Sequence, residues 1–392
     1  LLLCFVILFS VDRVLKPVEW NKILFAAWFT VGILIMLPFP DMAGRGAFIA
    51  FGLLISFVFP ALYFVWNNRG DYEKLYRYAT ISVVVATAVF FVINILTAPL
   101  IPGRPYTGIT SNSNSIGIAG IGGAICSLFL ILTEGKKKYI YMASFGFFAG
   151  FVWLAQSRAS LLAIFMTFVV FVVVGVRSEK SATSGIKKVV IDIVILIVAV
   201  VVIFAGIKQV LDRAEPIVPV LGQQSSETVA KQTSEEPVYY TNDMAEKMQT
   251  SEGGLDNFSS GRITRWKFYI KNIGLTGHSR KDGDPYIKEI GRTSTAHNTY
   301  LELAYRNGLL TGLLYAGIAV YAAFWNFRYL FGRKEKFDKT FALIAMAVFA
   351  FGVMSNLERA VYPVEKVHIL LYYLAFAPMF IKATKQNEKE DC

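Results

Sequence analysis

The chain has 392 residues, 55% hydrophobic and only 17% charged, with a mean hydropathy of +0.50. That is more apolar surface than one soluble core buries, so soluble enzyme folds are excluded and the chain reads as an integral membrane protein. A net charge of +11 does not point to nucleic acid, because the basic residues alternate from loop to loop along the chain.

A crossing of a hydrocarbon layer roughly 30 Å thick takes about 20 apolar residues. In chain order such runs are expected at 21–37, 46–66, 78–98, 114–133, 139–156, 159–176, 188–210, 308–328, 340–356 and 366–382. A partial run at 1–10, LLLCFVILFS, has no Met and no charged leader before it, which argues against a signal peptide and for an upstream helix. The expected fold is an all-α polytopic membrane protein with about ten to twelve transmembrane helices and one large extracytoplasmic loop late in the chain. Its parts are a helix bundle over 1–210, a loop over 211–296, and C-terminal helices with a cytoplasmic tail over 297–392.

Orientation follows from the loops. Arg13, Lys16 and Lys22, then Arg69, Lys74 and Arg77, Lys136 to Lys138, Arg177 to Lys188, and Arg328 to Lys339 mark the inner side. The opposite loops hold Arg45, Arg104, Arg158 and Arg359, which sends segment 211–296 outward. Within it, residues 221–257 are rich in Ser, Thr, Gln and Glu and read as a mobile insert. From Ser259 the sequence SSGRITRWKFYIKNIGLTGHSR sets Ile263, Trp266, Phe268 and Ile270 against bilayer or a neighbouring helix, with Arg262, Arg265, Lys267 and Lys271 toward water or headgroups. The run IGIAGIGGA at 116–124 lies within a crossing and suits close helix packing.

Few side chains are suited to chemistry. Phosphate-loop, zinc-peptidase and dinucleotide signatures are missing, and Cys4, Cys126 and Cys392 make no disulfide framework. His297, in TAHNTYLELAYRNGLLTG, precedes a helix start at the outer lip of a crossing. Asn298 or Thr299 is expected to cap that helix, with Thr299 and Glu302 at capping-box spacing. Leu301, Ala304, Tyr305, Gly308 and Leu309 then mark one buried stripe. Histidine is the side chain best matched to taking a proton from a hydroxyl near neutral pH, and a helix N-terminus attracts phosphate. Arg158 starts a crossing after almost no loop; an arginine at that depth either snorkels to the interface or clamps a phosphate. Arg262, Arg265 and Arg280 add an outward basic cluster. His278 and His368 without a carboxylate partner make a poor zinc site, so no metal and no cofactor is expected. Asp192, near the inner end of its helix, is almost the only acid within a crossing, which disfavours an ion-coupled carrier.

Ser157-Arg158 at a short outer turn, Ser260-Gly261-Arg262 leading to Trp266, Gly277, and His297-Asn298-x-x-Leu301 followed by Gly308 and Gly312 resemble the bacterial O-antigen ligase and O-antigen polymerase superfamily over roughly 110–330. The resemblance implies a metal-independent membrane glycosyltransferase of the bacterial plasma membrane, active on its extracytoplasmic side in surface polysaccharide biosynthesis. The implied partners are an undecaprenyl-diphosphate-linked oligosaccharide, a glycan or lipid acceptor, and membrane lipids. It further implies Arg158 and Arg262 as ligands of the donor diphosphate, joined by Arg265 and Arg280, His297 as general base, and Asn298 and Trp266 in support. Polymerase, ligase and protein O-oligosaccharyltransferase remain open alternatives at this point. From a different class, a flippase or exporter of lipid-linked glycans would use the same arginines to line a path.

Overall fold

The computed structural model describes residues 19–37, 45–60, 72–101, 104–110, 112–135, 137–179, 181–213, 262–278, 285–290, 295–332, 339, 341–357 and 367–382. The run at 1–10, the insert at 221–257, Arg280 and Arg359 lie outside them. Among the described residues the regular structure is helical, apart from one two-residue antiparallel pair, Glu19–Trp20 (β1) with Ile381–Lys382 (β2). Five helices are long and apolar enough to cross a membrane: Tyr76–Thr97, Ser113–Thr133, Arg158–Arg177, Ala182–Asp212 and Leu309–Phe331. Three shorter apolar helices accompany them, Lys22–Met36, Phe48–Val58 and Phe341–Leu357. The all-α polytopic membrane fold read from the apolar runs is therefore observed. The chain divides into two compact units, residues 1–78 with 262–392, and residues 79–261.

In the 79–261 unit, α4 (Ser113–Thr133) is the central element, its apolar window 89% buried. Its glycines explain why it can be enclosed. A Cβ on Gly120 would meet Val152 at 2.6 Å, and one on Gly123 would meet the Phe148 ring at 2.7 Å, so α5 (Lys138–Leu154) lies nearly on the α4 backbone. Gly117 gives the same close approach to Ser160 of α6 (Arg158–Arg177). The glycine run is thus a packing face, as its place within a crossing implied. The long α7 (Ala182–Arg213) is only 17% buried over its window. Asp192 of α7 pairs with Lys138 Nζ at 2.9 Å, which accounts for the acid inside that helix. Preceding these, α3 (Tyr72–Thr97) contributes Phe91, stacked on Phe151 at 4.1 Å.

In the other unit, α1 (Lys22–Met36) packs against α2 (Arg45–Leu53). The α2 helix continues as a π-helical turn, Leu54–Val58, and there the buried Trp28 indole donates to the Ile55 carbonyl at 3.0 Å. Two further helices, α8 (Arg262–Lys271) and α9 (Pro285–Ile290), lie in the polar segment. They are followed by α10 (Thr299–Asn307), α11 (Leu309–Phe331) and α12 (Phe341–Leu357). The expected last crossing at 366–382 is not one helix. It is a 3-10 turn at Val367–Ile369, α13 (Leu370–Leu374), a second 3-10 turn at Ala377–Phe380, and β2. Pro378 is the physical reason: it lacks the N–H that the Leu374 carbonyl would need. The broken segment instead supplies Tyr373, Phe376 and Phe380 to an aromatic cluster around Trp28.

Candidate functional site

The start of α10 is fixed by the side chain before it. Asn298 takes an extended backbone and accepts from the Leu301 N–H through Oδ1 at 3.1 Å, so of the two expected caps it is Asn298 that acts. Its Nδ2 donates to the Asn356 carbonyl in the last turn of α12, also at 3.1 Å. The cap therefore does two things: it satisfies the helix start and ties α10 to α12.

His297 stands immediately before this cap with a φ of +47°. A left-handed backbone costs a residue with a Cβ about 1–2 kcal/mol and persists where the surroundings hold it. The holding groups are visible on the preceding residue. The Ala296 N–H donates to Glu302 Oε2 at 2.8 Å, and the Ala296 carbonyl accepts from the Trp266 indole at 2.9 Å. Both polar groups of Ala296 and the cap of Asn298 thus bracket His297, whose own side chain is half-buried.

Trp266 brings α8 into the site. Arg262, Trp266 and Tyr269 share a helical face by spacing, with Arg265 beside them. Tyr269 is fully buried, its ring 4.6 Å from that of Tyr305 and 5.4 Å from that of Tyr286. Burial, with the Glu302 carboxylate adding to it, holds the Tyr269 phenol well above the usual range, so it is a neutral packing group. Arg262 and Arg265 are half-buried on the same helix.

Beneath His297 lies a buried ion pair. Glu302 is 0% and Arg306 2% exposed, one helical turn apart, with Arg306 Nε 3.5 Å from Glu302 Oε1. The Arg306 guanidinium also lies 5.0 Å from the centre of the Tyr305 ring. The reading of α10 as a one-sided amphipathic helix is corrected here. Glu302, Arg306 and Asn307 are buried along with Ala304 and Tyr305, while Leu309 is exposed. Gly308, with φ +93°, breaks the helix and resets its phase, so Leu309 belongs to α11 and not to the α10 stripe.

A loop over 272–278 closes the junction. Gly277 has φ +85°, and a Cβ there would meet the Arg306 carbonyl oxygen at 2.3 Å; one on Gly308 would meet that of Leu275 at 2.1 Å. Both glycines are required by backbone meeting backbone. His278 contacts the Asn272 carbonyl through Nε2 at 2.5 Å and lies 4.5 Å from the Tyr305 ring, so it belongs to this packing. His368 sits half-buried in a 3-10 turn.

Arg158 belongs to the other unit. It is the first residue of α6, with only three residues between it and the end of α5, as the near-absence of a loop implied. The turn contains Gln156, which with His297 makes the pair of non-glycine residues at positive φ among those described, and its φ is also 47°. Ser157 follows as N-cap, accepting from the Ser160 N–H and donating to Asn114 Oδ1 at 2.8 Å, which joins the starts of α4 and α6. Neither helix carries an acid in its own first turn, so neither offsets the positive end of its own macrodipole there. Tyr106 lies close by, its N–H donating to the Leu154 carbonyl at 2.8 Å.

Of the residues singled out in the sequence, the structure gathers His297, Asn298 and Trp266 into one clamp, with Arg262 and Arg265 on the helix that carries Trp266. Glu302 is read from the sequence only as a capping-box partner and Arg306 is not singled out; the available signal is an acid and a base four apart on one helix.

Residues 143–316 match the family model described as O-Antigen ligase. A search of curated proteins and a search of solved structures each returned no match. The matched stretch runs from within α5 into α11 and so contains Arg158, α8, His297 and the Glu302–Arg306 pair. Over that stretch, a little under half of its length, the chain is similar to the O-antigen ligase family of membrane proteins.

Proposed function

We propose that the chain transfers an oligosaccharide from undecaprenyl diphosphate to an acceptor hydroxyl at the extracytoplasmic face of the bacterial plasma membrane, in surface polysaccharide biosynthesis. The observation that carries this reading is the His297 clamp: a histidine in a costly backbone state, held from both sides, in a stretch similar to the O-antigen ligase family.

His297 takes the proton of the acceptor hydroxyl as that oxygen bonds to the anomeric carbon of the donor sugar. The bond from the anomeric carbon to phosphate oxygen breaks, and undecaprenyl diphosphate leaves with the electron pair. Arg158, Arg262, Arg265 and Arg280 bind the diphosphate and neutralise the charge that grows on it. Asn298 and Trp266 hold His297. No metal is assigned a part, because guanidinium groups supply the charge. The acceptor is a second lipid-linked repeat in a polymerase, lipid A-core in a ligase, or a protein hydroxyl in an O-oligosaccharyltransferase.

The test is turnover in lipid with an undecaprenyl-diphosphate oligosaccharide, a panel of the three acceptor types, and a chelator. A new glycosidic bond that forms in chelator, and whose donor KM rises in Arg158→Ala and Arg262→Ala, supports the reading. Movement of unaltered donor across the bilayer with no new bond points instead to an exporter.

A further inference from the structure

The α8 helix and the 272–278 loop carry a face that the His297 site does not use. Ile270 is 60% and Leu275 82% exposed, with exposed Lys267 and Lys271 on the same segment. The α8 helix contains no Asp or Glu. A bare leucine on a loose loop would carry little meaning, but this loop is fastened. Its Gly274 carbonyl accepts from the Leu309 N–H at 3.0 Å, and Gly277 and Gly308 bring it against the α10–α11 junction backbone to backbone. Leu309 is the first residue of a helix long and apolar enough to cross a membrane, and the exposed apolar surface of that helix begins at once, with Leu310 53% and Leu313 60% exposed. Leu275 is thereby held level with the first turn of α11.

We propose that Ile270 and Leu275 enter the same leaflet that receives the start of α11, with Lys267 and Lys271 at its anionic headgroups, so that α8 is an interfacial anchor. Continuity with the lipid-facing surface of α11 identifies the occupant as the bilayer, and the two lysines match its phosphate layer. The anchor also sets the depth of Trp266, and through it of the Ala296 carbonyl beside His297. This anchoring is independent of the transferase activity.

The test is depth in vesicles of phosphatidylcholine with phosphatidylglycerol. A nitroxide on Leu275→Cys, in the full chain with Cys4, Cys126 and Cys392 replaced by Ala, is compared with one on Leu313→Cys and with free label in buffer. The expected result is a ratio of oxygen to nickel-chelate collisions at position 275 several-fold above that of free label and approaching that at 313. A ratio equal to free label would overturn the proposal. Leu275→Trp in the chain with its native cysteines, read as extra quenching by bromine-labelled acyl chains, gives the same decision without altering the core. Lys267→Glu with Lys271→Glu is expected to lower the oxygen-to-nickel ratio at 275 in phosphatidylglycerol vesicles and not in pure phosphatidylcholine. An equal ratio in both would remove the lysines from the headgroup layer.

Discussion

Replacing Glu302 with glutamine separates the fold from the positioning of His297. Glutamine keeps the shape and an acceptor for the Ala296 N–H, but removes the charge from beside Arg306. A hydrogen bond to a charged group contributes about 1.5–3 kcal/mol and a neutral one about 0.5–1.5 kcal/mol, so the change costs about 1–2 kcal/mol at this contact. That equals the roughly 1–2 kcal/mol by which a left-handed backbone at His297 is disfavoured, so the clamp no longer fully outweighs the strain it holds. Misplacing a catalytic group by about 1 Å costs on the order of 10²-fold in rate. Glu302→Gln is therefore expected to fold but melt lower, with kcat down by about 10- to 100-fold and donor KM changed by about 2-fold or less. The assay is steady-state turnover in lipid beside a thermal melt of the same sample. Both Glu302→Gln and Glu302→Ala take the counter-charge from buried Arg306, so each is expected to lose about 3–5 kcal/mol of stability, with alanine at the upper end because it also removes the acceptor of the Ala296 N–H. A Glu302→Gln protein that melts lower but keeps the parent kcat would refute the positioning argument and leave Glu302 a packing residue.

Trp266→Phe keeps an aromatic group, but a smaller one, and removes the indole bond to Ala296, so a stability loss of at least about 0.5–1.5 kcal/mol is expected with a kcat loss larger than any change in KM. Asn298→Ser and Asn298→Ala both lose the Nδ2 bond to the Asn356 carbonyl, about 0.5–1.5 kcal/mol, and Asn298→Ala is expected to lose about 1 kcal/mol more because it also loses the capping oxygen; the difference between their melts reads the cap. Gly308→Ala would drive a Cβ to 2.1 Å from the Leu275 carbonyl oxygen. Backbone must shift to admit it, so the yield of folded protein in detergent is expected to fall sharply, while Gly317→Ala, with nothing within 4 Å of the added Cβ, is expected to be silent.

The membrane fold was legible because crossing a bilayer imposes both length and composition on a helix, and both can be read directly. The start of α10 was legible too, because Asn298 is a short polar acceptor before it, but the expected stripe ran on through Gly308, whose positive φ ends the helix. The last apolar run misled, although Pro378 marked a break near its C-terminal end. Less of the site could be read. The left-handed backbone of His297 depends on Trp266, 31 residues earlier in the chain, and on Glu302 reaching back past the cap, and neither bond follows from local pattern. Burial all around α10 concealed the Glu302–Arg306 pair, because an amphipathic reading sends charges to water unless a neighbouring helix covers them.

The measurement closest to the central claim compares single-turnover transfer from an undecaprenyl-diphosphate oligosaccharide by the intact chain and by His297→Ala, each in lipid and each shown by its melt to be folded. The account predicts that His297→Ala binds donor with unchanged affinity and forms glycosidic bond at least about 10²-fold more slowly, the loss of a general base. Bond formation by His297→Ala at the rate of the intact chain would contradict it.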